Sequence, residues 1–298
     1  MAPKKIVLPG RFDDDDPKLS RFVAEFFGRT SQPVSDSFNI DFSKLRWIDG
    51  AAITVLSNTL ERLRKRDIRV EFSGLDIQMA GVQYLDDSSF FEMYSGQKIS
   101  KFSKARDTTI PLRKLARSSS FDWLHNVVVP WLSAKLNMGP ESFAEVVTCI
   151  YEIFNNIEDH SEEKIGCVFV QYFPQMSKIA VSISDFGIGI PGSMRPTFPG
   201  LSDGKAIEMA FEEGVTSKRH GRNLGAGLWL LRQNVVTRNR GELSVFSNLG
   251  RFRCSLRGES VHNSVVESTN FYPGTLLRIV LRTDTIEPRA ADTEELVW

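Results

Sequence analysis

Glu152 and Asn156 are the first residues whose types and spacing suggest chemistry, in the run Tyr151-Glu152-Ile153-Phe154-Asn155-Asn156-Ile157-Glu158-Asp159-His160. At i and i+4 of a helix they share one face. A carboxylate beside a carboxamide can hold Mg²⁺, which takes oxygen ligands and keeps part of its water shell. The same spacing also serves an ordinary surface pair, so this helix alone decides nothing. A second segment, Ser184-Asp185-Phe186-Gly187-Ile188-Gly189, sets a carboxylate at the end of an apolar run. Gly187 and Gly189 allow a tight turn beside a ligand, and Asp185 can accept a hydrogen bond from an exocyclic amine. A third runs from Gly214 to Leu231. It carries Lys218 and Arg222, then Gly225, Gly227 and Leu228 at the head of an apolar helical run. Free N–H groups at a helix start bind phosphate. The fourth, Pro273-Gly274-Thr275, is by itself only a turn.

The elements that must position these groups follow from periodicity. Phe121 to Leu136 and Glu141 to His160 read as two long helices. Cys167–Phe173, Ile179–Ser184, Leu243–Phe246, Phe252–Leu256 and Leu276–Leu281 read as strands. Upstream, Leu19 to Phe27 has helical spacing, and Ser37 to Phe42 alternates as a strand does. Asp49 is placed to cap a helix that runs through Ile53, Leu56, Leu60 and Leu63. Ile68 to Phe72 is another strand, and Leu75 to Leu85 a further short helix. The polar, basic stretch of about 96 to 112, interrupted by Pro111, is the natural boundary. The expected organisation is α/β: a small α/β domain over 1–108, then a two-layer α/β sandwich over 109–298, with a mixed sheet and helices on one face.

Bulk properties narrow the class. The 298 residues are 41% hydrophobic and 25% charged, enough for two ordinary domains, and 37 basic residues balance 37 acidic ones. Nothing in that balance suggests nucleic-acid binding. Cys149, Cys167 and Cys254 are too scattered for a metal site or a disulfide framework. No stretch reads as a signal peptide or a membrane span, so the expectation is a cytoplasmic protein.

In this order and spacing the four segments resemble the nucleotide-binding boxes of the GHKL superfamily, over about residues 115 to 285. That resemblance implies a Bergerat fold and Mg²⁺-ATP as ligand. It implies Glu152 as general base, Asn156 as Mg²⁺ ligand, and Asp185 on the adenine amine with Gly187 and Gly189 shaping the pocket. Lys218, Gly225, Gly227 and Leu228 would serve the phosphates, and Thr275 the adenine end. The stretch from about Pro191 to Gly221 would be a lid. Tyr151 to Ser161 is similar in wording to bacterial anti-sigma-factor serine kinases, with His160 two turns after the glutamate. Phe38 to Ala52 and the elements after it resemble the STAS fold of anti-sigma-factor antagonists. The phospho-acceptor serine of that fold is missing, because Gly50, Ala51 and Ala52 follow Asp49.

These resemblances imply a serine/threonine protein kinase acting on a separate STAS-like or other regulatory partner. A slow ATPase or an ATP-gated switch, including one that works by homodimerisation, remains the alternative. A histidine-kinase-like protein and an interaction module with a vestigial pocket are further readings.

Overall fold

The computed structural model describes residues 2–14, 16–28, 32–161, 164–215 and 227–289. In the N-terminal half, β1 (Lys4–Val7), β3 (Ser37–Asp41) and β5 (Arg69–Ser73) form a parallel three-stranded sheet in the order β1-β3-β5. Parallel neighbours need a crossover, supplied here by α1 (Asp16–Phe27) and α2 (Gly50–Arg64). A minor parallel pair joins β2 (Arg11–Phe12) to β4 (Trp47–Ile48). Asp49 caps α2 as its position predicts: the Ala52 N–H donates to Asp49 Oδ1 at 2.8 Å. The next helix, α3 (Ala80–Asp87), starts later than the spacing from Leu75 suggests, and α4 (Phe90–Ser95) follows it.

The C-terminal half is built on a five-stranded sheet. Its strands are β6 (Thr109–Leu115), β7 (Gly166–Phe173), β8 (Lys178–Asp185), β9 (Glu242–Arg257) and β10 (Ser260–Arg282), in the order β6-β7-β8-β10-β9. Every neighbouring pair is antiparallel, so the expectation of a mixed sheet is corrected. The reason is topological. β7–β8 and β9–β10 are hairpins, and β10 inserts between β8 and β9, separating the two strands that point the same way. Part of the stretch taken as a connection is also a strand. β6 is the sheet edge, and its register breaks between Ile110 and Arg113, around Pro111. An edge bulge is where a residue without an N–H does least harm. Similarly, Pro273-Gly274 does not precede a strand but lies inside β10, where the register shifts between Tyr272 and Thr275.

The helix expected over 121–136 is α5 (Arg117–Trp123), a π-helical turn (Leu124–Val128) and α6 (Val129–Leu136). Pro130 near the start of α6 has no N–H for the ladder, which shifts there. A 3₁₀ turn (Pro140–Phe143) then leads into α7 (Ala144–His160). Between β8 and β9 come α8 (Gly189–Met194), α9 (Asp203–Ala210) and α10 (Gly227–Arg232), the last continued by a π segment, Gln233–Arg238.

Alternation along the strands explains how the layers stack. Val168, Val170, Val181, Ile183, Leu277 and Ile279 face α7 and its neighbours, joining Ile150, Ile153, Phe154 and Ile157 in one core. Cys167, Phe169, Phe246 and Leu276 point the other way and are buried with Ala51, Ala52, Val55 and Leu56 of α2. The sheet is thus covered on both faces, on one by its own helices and on the other by the N-terminal half. That is why its strands read as near-continuous apolar runs.

Candidate functional site

α7 carries its apolar residues toward the sheet and turns Glu152, Asn155, Asn156 and Asp159 into a cavity of about 430 Å³. Asp185, at the end of β8, lines the same cavity, as do Gly189, Ile190 and Met194 of α8, Gly227 and Leu228 of α10, and Thr275 of β10. Segments far apart in the sequence therefore converge on one space, of the size that small-molecule ligands occupy. Of the residues singled out by type and spacing, Lys218, Arg222 and Gly225 lie outside the described residues. Gly187 is close by but does not line the cavity.

The register of the sheet sets the closed end. Thr275 pairs with Asp185 on one side and Ser247 on the other. Asp185 is only 8% exposed. The Ser247 hydroxyl donates to the Gly274 carbonyl at 2.6 Å and accepts from the Ile190 N–H at 3.0 Å, tying α8 to the sheet. Ser247 carries no sequence signal; only strand pairing reveals its place.

Gly189 has φ +71°, a conformation that favours glycine. A Cβ there would stand 2.5 Å from Ser247 Oγ and 2.9 Å from both Asn248 Oδ1 and the Gly274 carbonyl. At Gly187 the constraint is close approach: a Cβ would lie 2.4 Å from the His160 carbonyl oxygen. Here the end of α7 is joined to the turn after β8. Ser161 bridges to Gly187, the Ile188 N–H donates to the His160 carbonyl at 3.3 Å, and Ser161 Oγ donates to the Phe186 carbonyl at 2.9 Å. Gly187 thus joins the turn after Asp185 to the end of α7.

At the open end, Asn155 Nδ2 donates to Glu152 Oε1 at 3.2 Å, and Gly227 is near Glu152 Oε2, with 3.7 Å to the place of a Cβ. Asn155 Oδ1 is buried with no hydrogen-bond partner among the described residues, an acceptor left over beside a carboxylate and a carboxamide. These oxygen donors fit a hard divalent cation shared with a ligand's own oxygens. Among the described residues no group of three or more His, Cys, Asp or Glu could hold a metal alone. His160 also lines the cavity, as does Arg117, which no motif flagged.

Within the stretch expected as a lid, α8 and α9 are helices with Met194, Ala206, Ile207 and Ala210 buried. Asp203 accepts from Arg195 at 2.6 Å and from the Leu249 N–H at 2.9 Å, and the Gly204 N–H donates to Glu267 at 2.7 Å. The part after Val215, to Gly221, lies outside the described residues. All three cysteines are free and buried, and burial raises each thiol, Cys167 to about 12. No described helix is long and apolar enough to cross a membrane.

No protein-family model matches the chain, and no curated protein matches it.

Proposed function

We propose that the chain is an ATP-binding regulatory protein of the GHKL type, with the Bergerat arrangement in its C-terminal half and a STAS-like N-terminal half. One observation carries this reading: Glu152 and Asn156, Asp185 and Gly189, Gly227 and Leu228, and Thr275 line a single cavity. The adenine end would rest on Asp185 and Thr275, and the phosphates on the α7 side and the start of α10. Bound Mg²⁺, held by Asn156 and phosphate oxygens, would supply neutralisation of the phosphate charge. Glu152 would accept the proton of the attacking hydroxyl or water; phosphoryl transfer needs mainly such positioning and electrostatics.

Transfer to a hydroxyl of a separate protein is the leading form. Positions 50–52 of the N-terminal half offer no acceptor, since Ala51 and Ala52 are fully buried and a Cβ on Gly50 would meet the Phe169 ring at 2.8 Å. An ATP-gated switch is the second form, favoured by the contacts that α2 makes with β8 beside Asp185. Calorimetric titration of ATP and ADP with Mg²⁺ into wild type and Asn156→Ala, followed by product analysis, tests the reading. Binding lost in the variant supports it; free phosphate would favour ATPase or switch, and intact ATP a kinase awaiting its substrate. No binding by wild type would defeat it.

A further inference from the structure

We propose that Arg117 recognises the terminal phosphate of the bound nucleotide and makes this cavity prefer a nucleoside triphosphate to a diphosphate; the inference rests on the nucleotide reading above. Arg117 lines the cavity, and it is the one lysine or arginine among the described lining residues. The same lining holds three carboxylates, Glu152, Asp159 and Asp185. A polyphosphate entering beside them meets repulsion unless a cation offsets it. The Arg117 guanidinium makes no hydrogen bond or ion pair with its own chain among the described residues, so it is available to an incoming anion.

Position within the cavity distinguishes the terminal phosphate from the others. Asp185 and Thr275 sit at the closed end, whereas Arg117 is exposed at the rim. A nucleotide anchored by its base at Asp185 would direct its phosphates away from the closed end, toward that rim. The placement of α5 is firm: Ser120 and Trp123 are buried, and Phe121 meets Tyr151 edge-on at 6.0 Å, one residue before Glu152. The start of α5 is thereby held against the face of α7 that carries Glu152 and Asn155. A planar guanidinium can make two parallel hydrogen bonds to one phosphate, which a lysine cannot reproduce.

The test is titration of ATP and of ADP, each with Mg²⁺, into full-length wild type, Arg117→Ala and Arg117→Lys. The expected result is ATP affinity reduced by about tenfold or more in Arg117→Ala, as for loss of a charge-assisted hydrogen bond. ADP affinity should stay within about twofold, and Arg117→Lys should fall between. Retained ADP binding also reports that the variant is folded. Equal losses for ATP and ADP, or no loss for either, would overturn the assignment while leaving the nucleotide reading intact. Wild type binding neither nucleotide would remove both.

Discussion

Asn58 of α2 donates a 2.8 Å hydrogen bond to Ser184 Oγ of β8, the residue immediately before Asp185. On the other side of Asp185, Phe186 packs edge-on against Phe27 of α1 at 6.0 Å, with the Arg62 guanidinium 5.5 Å from both ring centroids. The candidate base-binding carboxylate is therefore bracketed by residues held from the N-terminal half. Both Asn58 and Ser184 are buried, so removing the donor strands a hydroxyl away from water. Asn58→Leu should lower unfolding free energy by about 1–3 kcal/mol and weaken nucleotide binding as well. Urea denaturation and calorimetry report the two effects separately. Unchanged binding in a destabilised variant would mean that the geometry of β8 is set without α2.

Glu152→Gln keeps the size of the side chain and an oxygen for the Asn155 amide, but it cannot take a proton. Turnover should fall by about 10²–10⁴-fold, the usual contribution of a positioned base. ATP affinity should change little, because Asn156, Asp185 and Thr275 remain. A variant with normal turnover would point to another base; a variant that loses binding would make Glu152 a structural group.

The contrast between what the sequence shows and what it hides follows the range of the forces involved. Glu152 with Asn156, Asp185 with Gly189, and the cap at Asp49 are local patterns, written in residues a few positions apart and legible as such. Ser247, Arg117 and the Asn58–Ser184 bond are not, because each depends on which strand or helix lies alongside, and pairing is set by the whole core. The same limit misjudged the sheet. Periodicity marks Leu243–Phe246, Phe252–Leu256 and Leu276–Leu281 as strands, but no local signal says that the first two are one strand, β9, that β10 starts as early as Ser260, or that β10 inserts beside β8. Pro111 and Pro273 read as breaks for a related reason, since their tolerance depends on an edge and a bulge that form only after the sheet does.

Gly189 and Gly200 separate backbone strain from steric exclusion. Both have positive φ, +71° and +88°, but a Cβ on Gly200 meets nothing within 4 Å, whereas on Gly189 it meets three polar atoms at 2.9 Å or less. Gly200→Ala should cost only the conformational penalty of about 1–2 kcal/mol. Gly189→Ala should cost more and should also abolish nucleotide binding, because α8 must move off Ser247. Denaturation midpoints and ATP titrations of the two variants check this. Equal costs and equal binding would show that the turn relaxes freely and is not held by Ser247.

Asp49 gives the N-terminal half a pH dependence of its own. Its carboxylate caps α2, but it is half-buried with Asp14 nearby, and its desolvation pushes its pKa from 3.8 up to about 6. Between those values the folded chain binds more protons than the unfolded one, so stability falls as pH rises from about 4 to about 6 and then levels. The shift corresponds to up to about 3 kcal/mol. Asp41 works in the opposite sense. The Lys5 side chain and the Ser43 N–H hold its carboxyl down at about 2, so the stability it supplies is present above about 4 and lost as pH falls toward 2. Asp49→Asn keeps an oxygen for the Ala52 N–H and removes the charge. It should flatten the loss between pH 4 and pH 6 while leaving the acid limb in place. Urea unfolding at pH 3, 4, 5, 6 and 7 reads this directly. If the variant and wild type lose stability in parallel from pH 4 to pH 6, the slope originates elsewhere, and the Asp49 carboxyl ionises in the folded chain without cost.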